Sequence, residues 1–64
     1  MEEDAEFILH RLEDADGFLP YHDKSAPEEI KAHFHMSKNA FKRAIGRLMK
    51  EGYITIGEDG IRMK

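Results

Sequence analysis

Between Met36 and Lys50 the chain carries no acidic residue, and within that run apolar side chains recur at helical spacing. At 100° per residue, Phe41, Ala44, Ile45, Leu48 and Met49 share one side of a helix. Asn39, Arg43, Gly46, Arg47 and Lys50 share the other, with Lys38 and Lys42 on the flank. Ser37 is suited to cap the start, and Gly52 to stop the helix after about Glu51. A helix with a single apolar stripe needs partners to cover it. With 64 residues and no cysteine, those partners must be packed elements of a single small domain, without disulfides or a thiolate zinc site. Such a chain buries only ~60 % of its unfolded surface. A stability of roughly 3–5 kcal/mol is therefore expected.

The remaining elements read off in order. Glu2 to Ala15 places Ala5, Ile8, Leu9 and Leu12 on one helical stripe, with Glu2, Glu3 and Asp4 at its positive end and Gly17 as its stop. Phe7 lies off that stripe and requires another neighbour. Phe18-Leu19-Pro20-Tyr21-His22 predicts a short extended piece, held at a sheet edge or strand start by Pro20. Asp23-Lys24 is a turn, and Ser25-Ala26-Pro27-Glu28 predicts a capping box opening a short second helix that buries Ile30 and Phe34. His35-Met36 interrupt before the Ser37 helix. Tyr53–Ile56 and Ile61–Lys64 alternate as strands around Gly57-Glu58-Asp59-Gly60. A two-residue Asp59-Gly60 turn would pair Ile56 with Met63, and a four-residue loop would pair Ile56 with Ile61. Either register sends Ile54, Ile56, Ile61 and Met63 to one face and Tyr53, Thr55, Arg62 and Lys64 to the other. Met36, Met49 and Met63 are expected to fill core gaps.

Helix, short strand, helix, tight turn, helix, hairpin is the order of an α+β winged helix-turn-helix: three helices, a short edge strand and a C-terminal β-hairpin wing. In that unit the second helix of the helix-turn-helix lies in a groove or along a backbone, and here it is the basic one. The net charge of −3 divides unevenly. Residues 1–29 carry ten acids against Arg11 and Lys24, a balance of −8. Residues 30–64 carry eight bases against Glu51, Glu58 and Asp59, a balance of +5. The expected partner is a nucleic acid, met chiefly at its phosphates by Lys38, Lys42, Arg43, Arg47 and Lys50, with Arg62 and Lys64 free on the wing. Asn39 alone on the exposed face has the amide chemistry to address an adenine edge.

Other function classes find little support. A core this small leaves no room for a substrate pocket, and no Ser-His-Asp order, carboxylate pair or phosphate-cradling glycine loop is discernible. No catalytic residue, metal or cofactor is expected; His22, His33 and His35 are a poor metal set. No apolar run approaches the ~20 residues of a membrane span.

From Gly17 to Lys50 and beyond, the runs GFLP, DKSAPEEI and MSKNAFKRAIGRL, followed by a strand and DGI, resemble the C-terminal winged-helix domain of the conserved virulence factor B family. Those are bacterial RNA-binding proteins that carry tandem OB-fold domains of the ribosomal-protein S-one type ahead of this domain. The resemblance implies that the chain is the C-terminal piece of a longer multidomain, cytoplasmic regulator of gene expression. It implies RNA, single-stranded by preference, as the partner, and neighbouring OB-folds in the same chain. It carries over Lys38, Lys42, Arg43 and Arg47 as backbone contacts, and no catalytic residue. Two positions depart from the expected pattern: His35 stands in a turn where glycine is expected, and Met49 where an aromatic is common. Two other readings compete. A duplex-DNA regulator would prefer duplex and usually dimerise, whereas a monomer is expected here. A scaffold domain would present Phe7 and Tyr53 at a contact surface.

Overall fold

The computed structural model describes residues 3–64; Met1 and Glu2, the latter assigned above to the acidic helix start, lie outside the described residues. Six elements follow in the expected order: α1 (Glu3–Asp14), β1 (Phe18–Leu19), α2 (Pro27–Phe34), α3 (Lys38–Lys50), β2 (Ile54–Ile56) and β3 (Ile61–Met63). The strands form one antiparallel sheet in the order β1-β3-β2. The architecture is the α+β winged helix. Its core draws on every element: Ala5, Ile8 and Leu12 from α1, Leu19 from β1, Ile30 and Phe34 from α2, Phe41, Ala44, Ile45 and Leu48 from α3, and Ile54 and Ile61 from the hairpin.

Local chemistry explains most boundaries. The Ser37 hydroxyl accepts the Ala40 N–H at 3.1 Å, satisfying one of the donors that a helix start leaves unpaired. At the other end of α3, Tyr53 N–H donates to the Leu48 carbonyl and Gly52 N–H to the Met49 carbonyl, at 2.9 and 3.1 Å. That reverse turn needs a left-handed residue, and Gly52 supplies it at φ 83°. α1 closes in the same way but one residue earlier than expected. Asp16 takes the left-handed position at φ 59°, and Gly17 follows at φ 88°. The Gly17 carbonyl then accepts the Met63 N–H at 2.7 Å, fastening the exit of α1 to β3.

The capping box at α2 is not formed. Its N-cap is Ala26, with no side-chain hydrogen bond, and Pro27 opens the helix. Ser25 stands one residue too early to cap, and its hydroxyl instead accepts the His22 N–H at 3.0 Å within the preceding turn. The missing cap is tolerable because proline at the first position has no N–H to satisfy. β1 is likewise shorter than the five residues expected: after Leu19, Pro20 ends the ladder, and Tyr21 leaves it to meet Phe34 edge-on at 5.6 Å between ring centroids. His35 does occupy a glycine-like position, at φ 56°, between α2 and α3.

The hairpin adopts the four-residue loop: Ile56 pairs with Ile61, Thr55 with Arg62 and Ile54 with Met63. Ile54 and Ile61 are buried and Ile56 partly so, but Met63 is exposed at the end of its strand. Met49 is half exposed as well, at 50 %, since it lies on the flank of α3 rather than at the centre of its apolar stripe. Of the three methionines expected to fill core gaps, Met36 alone packs against the core.

Candidate nucleic-acid interface

α3 packs on α1, α2 and β2 through Phe41, Ala44, Ile45 and Leu48, all of them buried. Because successive residues turn by 100°, the helix side opposite those four carries Asn39, Arg43, Gly46 and Lys50, with Lys42 on one flank and Arg47 on the other. Asn39, Lys42, Arg43, Arg47 and Lys50 are all exposed, and Lys38 is partly buried. The acidic α1 lies against the opposite, apolar side of α3. Among the described residues no carboxylate is within ion-pairing distance of Lys42, Arg43 or Lys50, whereas Arg47 Nε lies 4.0 Å from Glu51 Oε2 one turn on. The exposed side of α3 is therefore a contiguous cationic surface on a rigid helix. Lys42, Arg43 and Lys50 can meet phosphates there without first leaving a carboxylate partner among the described residues.

The wing behaves differently. Lys64 is exposed, but Arg62 is not free: it donates to Asp59 Oδ2 at 2.9 Å, and its guanidinium carbon lies 4.5 Å from the centroid of the Phe18 ring. The Arg62 hydrogen bond, aided by a backbone N–H, holds the Asp59 carboxyl below the usual value of 3.8. Glu13 and Asp16 line the same shallow depression as Phe18 and Arg62, so acids surround this arginine. Sequence alternation correctly set Arg62 on the outward sheet face. It could not reveal Phe18 as its stacking partner, since that contact exists only once β1 pairs with β3 and sets Phe18 opposite Arg62.

The histidines do not converge. His22 Nδ1 accepts the Lys24 N–H at 3.0 Å, His33 stacks on Tyr21 at 4.7 Å, and His35 meets the edge of Phe7 at 6.5 Å. Among the described residues no group of His, Cys, Asp or Glu side chains is arranged to hold a metal ion. No described helix is long and apolar enough to cross a membrane. Phe7 and Tyr53, which the scaffold reading set at a contact surface, are exposed at 38 % and 46 %.

The family model of the CvfB-like winged helix domain matches residues 6–63. The chain belongs to that family. This CvfB-like domain is 52 % identical over 54 residues to the uncharacterised protein YitL of Bacillus subtilis, a match covering 84 % of the chain and 18 % of YitL. It is also 52 % identical over 56 residues to conserved virulence factor B of Staphylococcus saprophyticus, covering 88 % of the chain and 19 % of that protein. A crystal structure from Streptococcus pneumoniae, described as a multidomain protein with nucleic acid binding domains, superposes with a TM-score of 0.97 at 45 % identity. That match covers 100 % of this chain and 22 % of the pneumococcal one. The CvfB-like domain thus spans about a fifth of the length of the curated relatives it matches.

Proposed function

We propose that this CvfB-like domain is an accessory nucleic-acid-binding module that contacts the phosphate backbone of RNA, single-stranded by preference and largely without regard to sequence. Lys42, Arg43, Arg47 and Lys50 are its principal contacts, with Lys38 and Lys64 at the periphery and Arg62 contributing only where it exchanges Asp59 for a phosphate. Asn39 is the one position on this face suited to reading a base edge. The module belongs to a longer cytoplasmic regulator of gene expression, in which neighbouring OB-folds supply most of the affinity, and it has no catalytic role of its own. The observation that carries this reading is the exposed, acid-free side of α3, whose cations at Lys42, Arg43 and Lys50 have no carboxylate beside them among the described residues.

The test is a titration of labelled single-stranded oligouridylate at low and moderate salt, with the wild-type chain and a Lys42→Ala/Arg43→Ala variant. Single strands give a salt slope of about −0.7 for each phosphate neutralised, so four contacts predict about −3, falling to roughly half in the variant. An affinity unchanged by the double substitution, with the fold intact by NMR, refutes the assignment. Tighter binding to duplex DNA than to the single strand would move the partner from RNA to DNA.

A further inference from the structure

Glycine is, after proline, the poorest residue for a helix interior, yet Gly46 sits in the third turn of α3. A fold retains a helical glycine when its backbone needs a positive φ, or when a neighbouring atom leaves no room for a Cβ. Neither applies. Gly17, Gly52 and Gly60 are the positive-φ glycines; Gly46 is not among them. A Cβ built on Gly57 would meet Asp59 Oδ1 at 3.0 Å, whereas one built on Gly46 meets nothing within 4 Å. Of the five glycines in the chain, Gly46 is the one for which the fold supplies no reason.

Its surroundings suggest one. Lys42 and Arg43 precede it by one helical turn and Lys50 follows by one turn, so three of the four neighbouring positions on the helix surface carry long cationic side chains beside a position with no side chain at all; the fourth is Met49. The result is a notch floored by helix backbone and bordered by positive charge at Lys42, Arg43 and Lys50. A chain bearing anions at regular intervals could seat there close to the helix, with cations on both sides.

We propose that Gly46 is the point where the sugar-phosphate chain of a bound nucleic acid crosses α3, lying against bare helix backbone between Lys42 and Arg43 on one side and Lys50 on the other. This rests on the phosphate-contacting role given to α3 above, and adds to it a defined crossing point and a steric requirement. Three cations against the single apolar neighbour, Met49, favour a polyanion as the occupant over the apolar surface of a protein partner.

The proposal makes stability and binding move in opposite directions. Gly46→Ala and Gly46→Leu replace glycine by good helix formers in open space, so both should raise the melting temperature, by about 4–8 °C. The same substitutions fill the notch. Binding of single-stranded oligouridylate should weaken with the size of the added group, by at least about tenfold for leucine, and the salt slope should become shallower by about one lost contact. A melting temperature that falls in Gly46→Ala would show that the glycine serves the fold, overturning the proposal. So would a Gly46→Leu variant that binds like the wild type. If Lys42→Ala/Arg43→Ala abolishes binding while Gly46→Leu retains it, the phosphate-contacting role survives and the crossing point fails. If both variants bind unchanged, the functional reading itself fails, and the notch with it.

Discussion

Gly60 offers the sharpest probe of how the wing is held on the helices. The residue is buried, at φ 150°, in the loop between β2 and β3. A methyl group added there would run into the Leu19 carbonyl oxygen and stand 2.9 Å from Pro20 Cα and 3.0 Å from the Leu19 carbonyl carbon. All three are backbone atoms, which cannot rotate aside as a side chain would. Gly60→Ala therefore incurs two costs. An L-residue in a sparsely populated backbone region costs about 1–3 kcal/mol, and overpacking against atoms that must shift costs about 1–3 kcal/mol more. The combined loss, about 2–6 kcal/mol, is comparable to the roughly 3–5 kcal/mol expected for the whole domain. At about 4–8 °C per kcal/mol, the thermal midpoint followed by circular dichroism should fall by at least about 8 °C, and at the upper end the domain would not fold at 25 °C. Gly52→Ala is the comparison. It also forces an L-residue to positive φ, at 83°, but a Cβ there meets open space, so only the left-handed cost of about 1–2 kcal/mol remains. A Gly60→Ala variant that melts within about 4 °C of the wild type, or above Gly52→Ala, would refute the claim that the loop and the end of β1 are in backbone contact.

Two serines that look alike in sequence should separate in a melt. Ser37→Ala removes the cap of α3 and should cost about 1 kcal/mol, while Ser25→Ala should leave α2 helicity unchanged and perturb only the amide shift of His22, which loses its acceptor. The Asp59–Arg62 pair predicts a pH response confined to the wing. A carboxyl held below its unfolded value stabilises the fold at any pH above that value, and the contribution fades as pH falls through the lowered one. Gly57–Gly60 amide shifts should therefore titrate below pH 3.8, and Arg62→Ala should bring the Asp59 midpoint back up towards 3.8 by carboxyl-detected NMR. An Asp59 midpoint indifferent to Arg62→Ala would show that the hydrogen bond does not form in solution.

The parts of this domain legible in its sequence are those governed by contacts within one helical turn or one pleat. The apolar period of residues 41–48, the Ser37 cap and the glycine after α3 need only neighbours three to five residues away, and all three are realised. The exposed side of α3 follows from the same arithmetic, since burying Phe41, Ala44 and Leu48 turns Arg43 and Lys50 outward wherever the helix docks. Strand parity works in the same way: both candidate registers set Ile54 and Ile61 inward, and both residues are buried.

What sequence left open was settled by groups far apart in the chain. The anchoring of Arg62 on the Phe18 ring depends on residues 18–19 pairing with residues 61–62. Met49 and Met63 satisfy the apolar period yet stay exposed, since periodicity gives the direction of a side chain and only the packed neighbours determine whether anything covers it. Direction along a helix or strand is a property of covalent geometry and local hydrogen bonds; cover is a property of the whole fold.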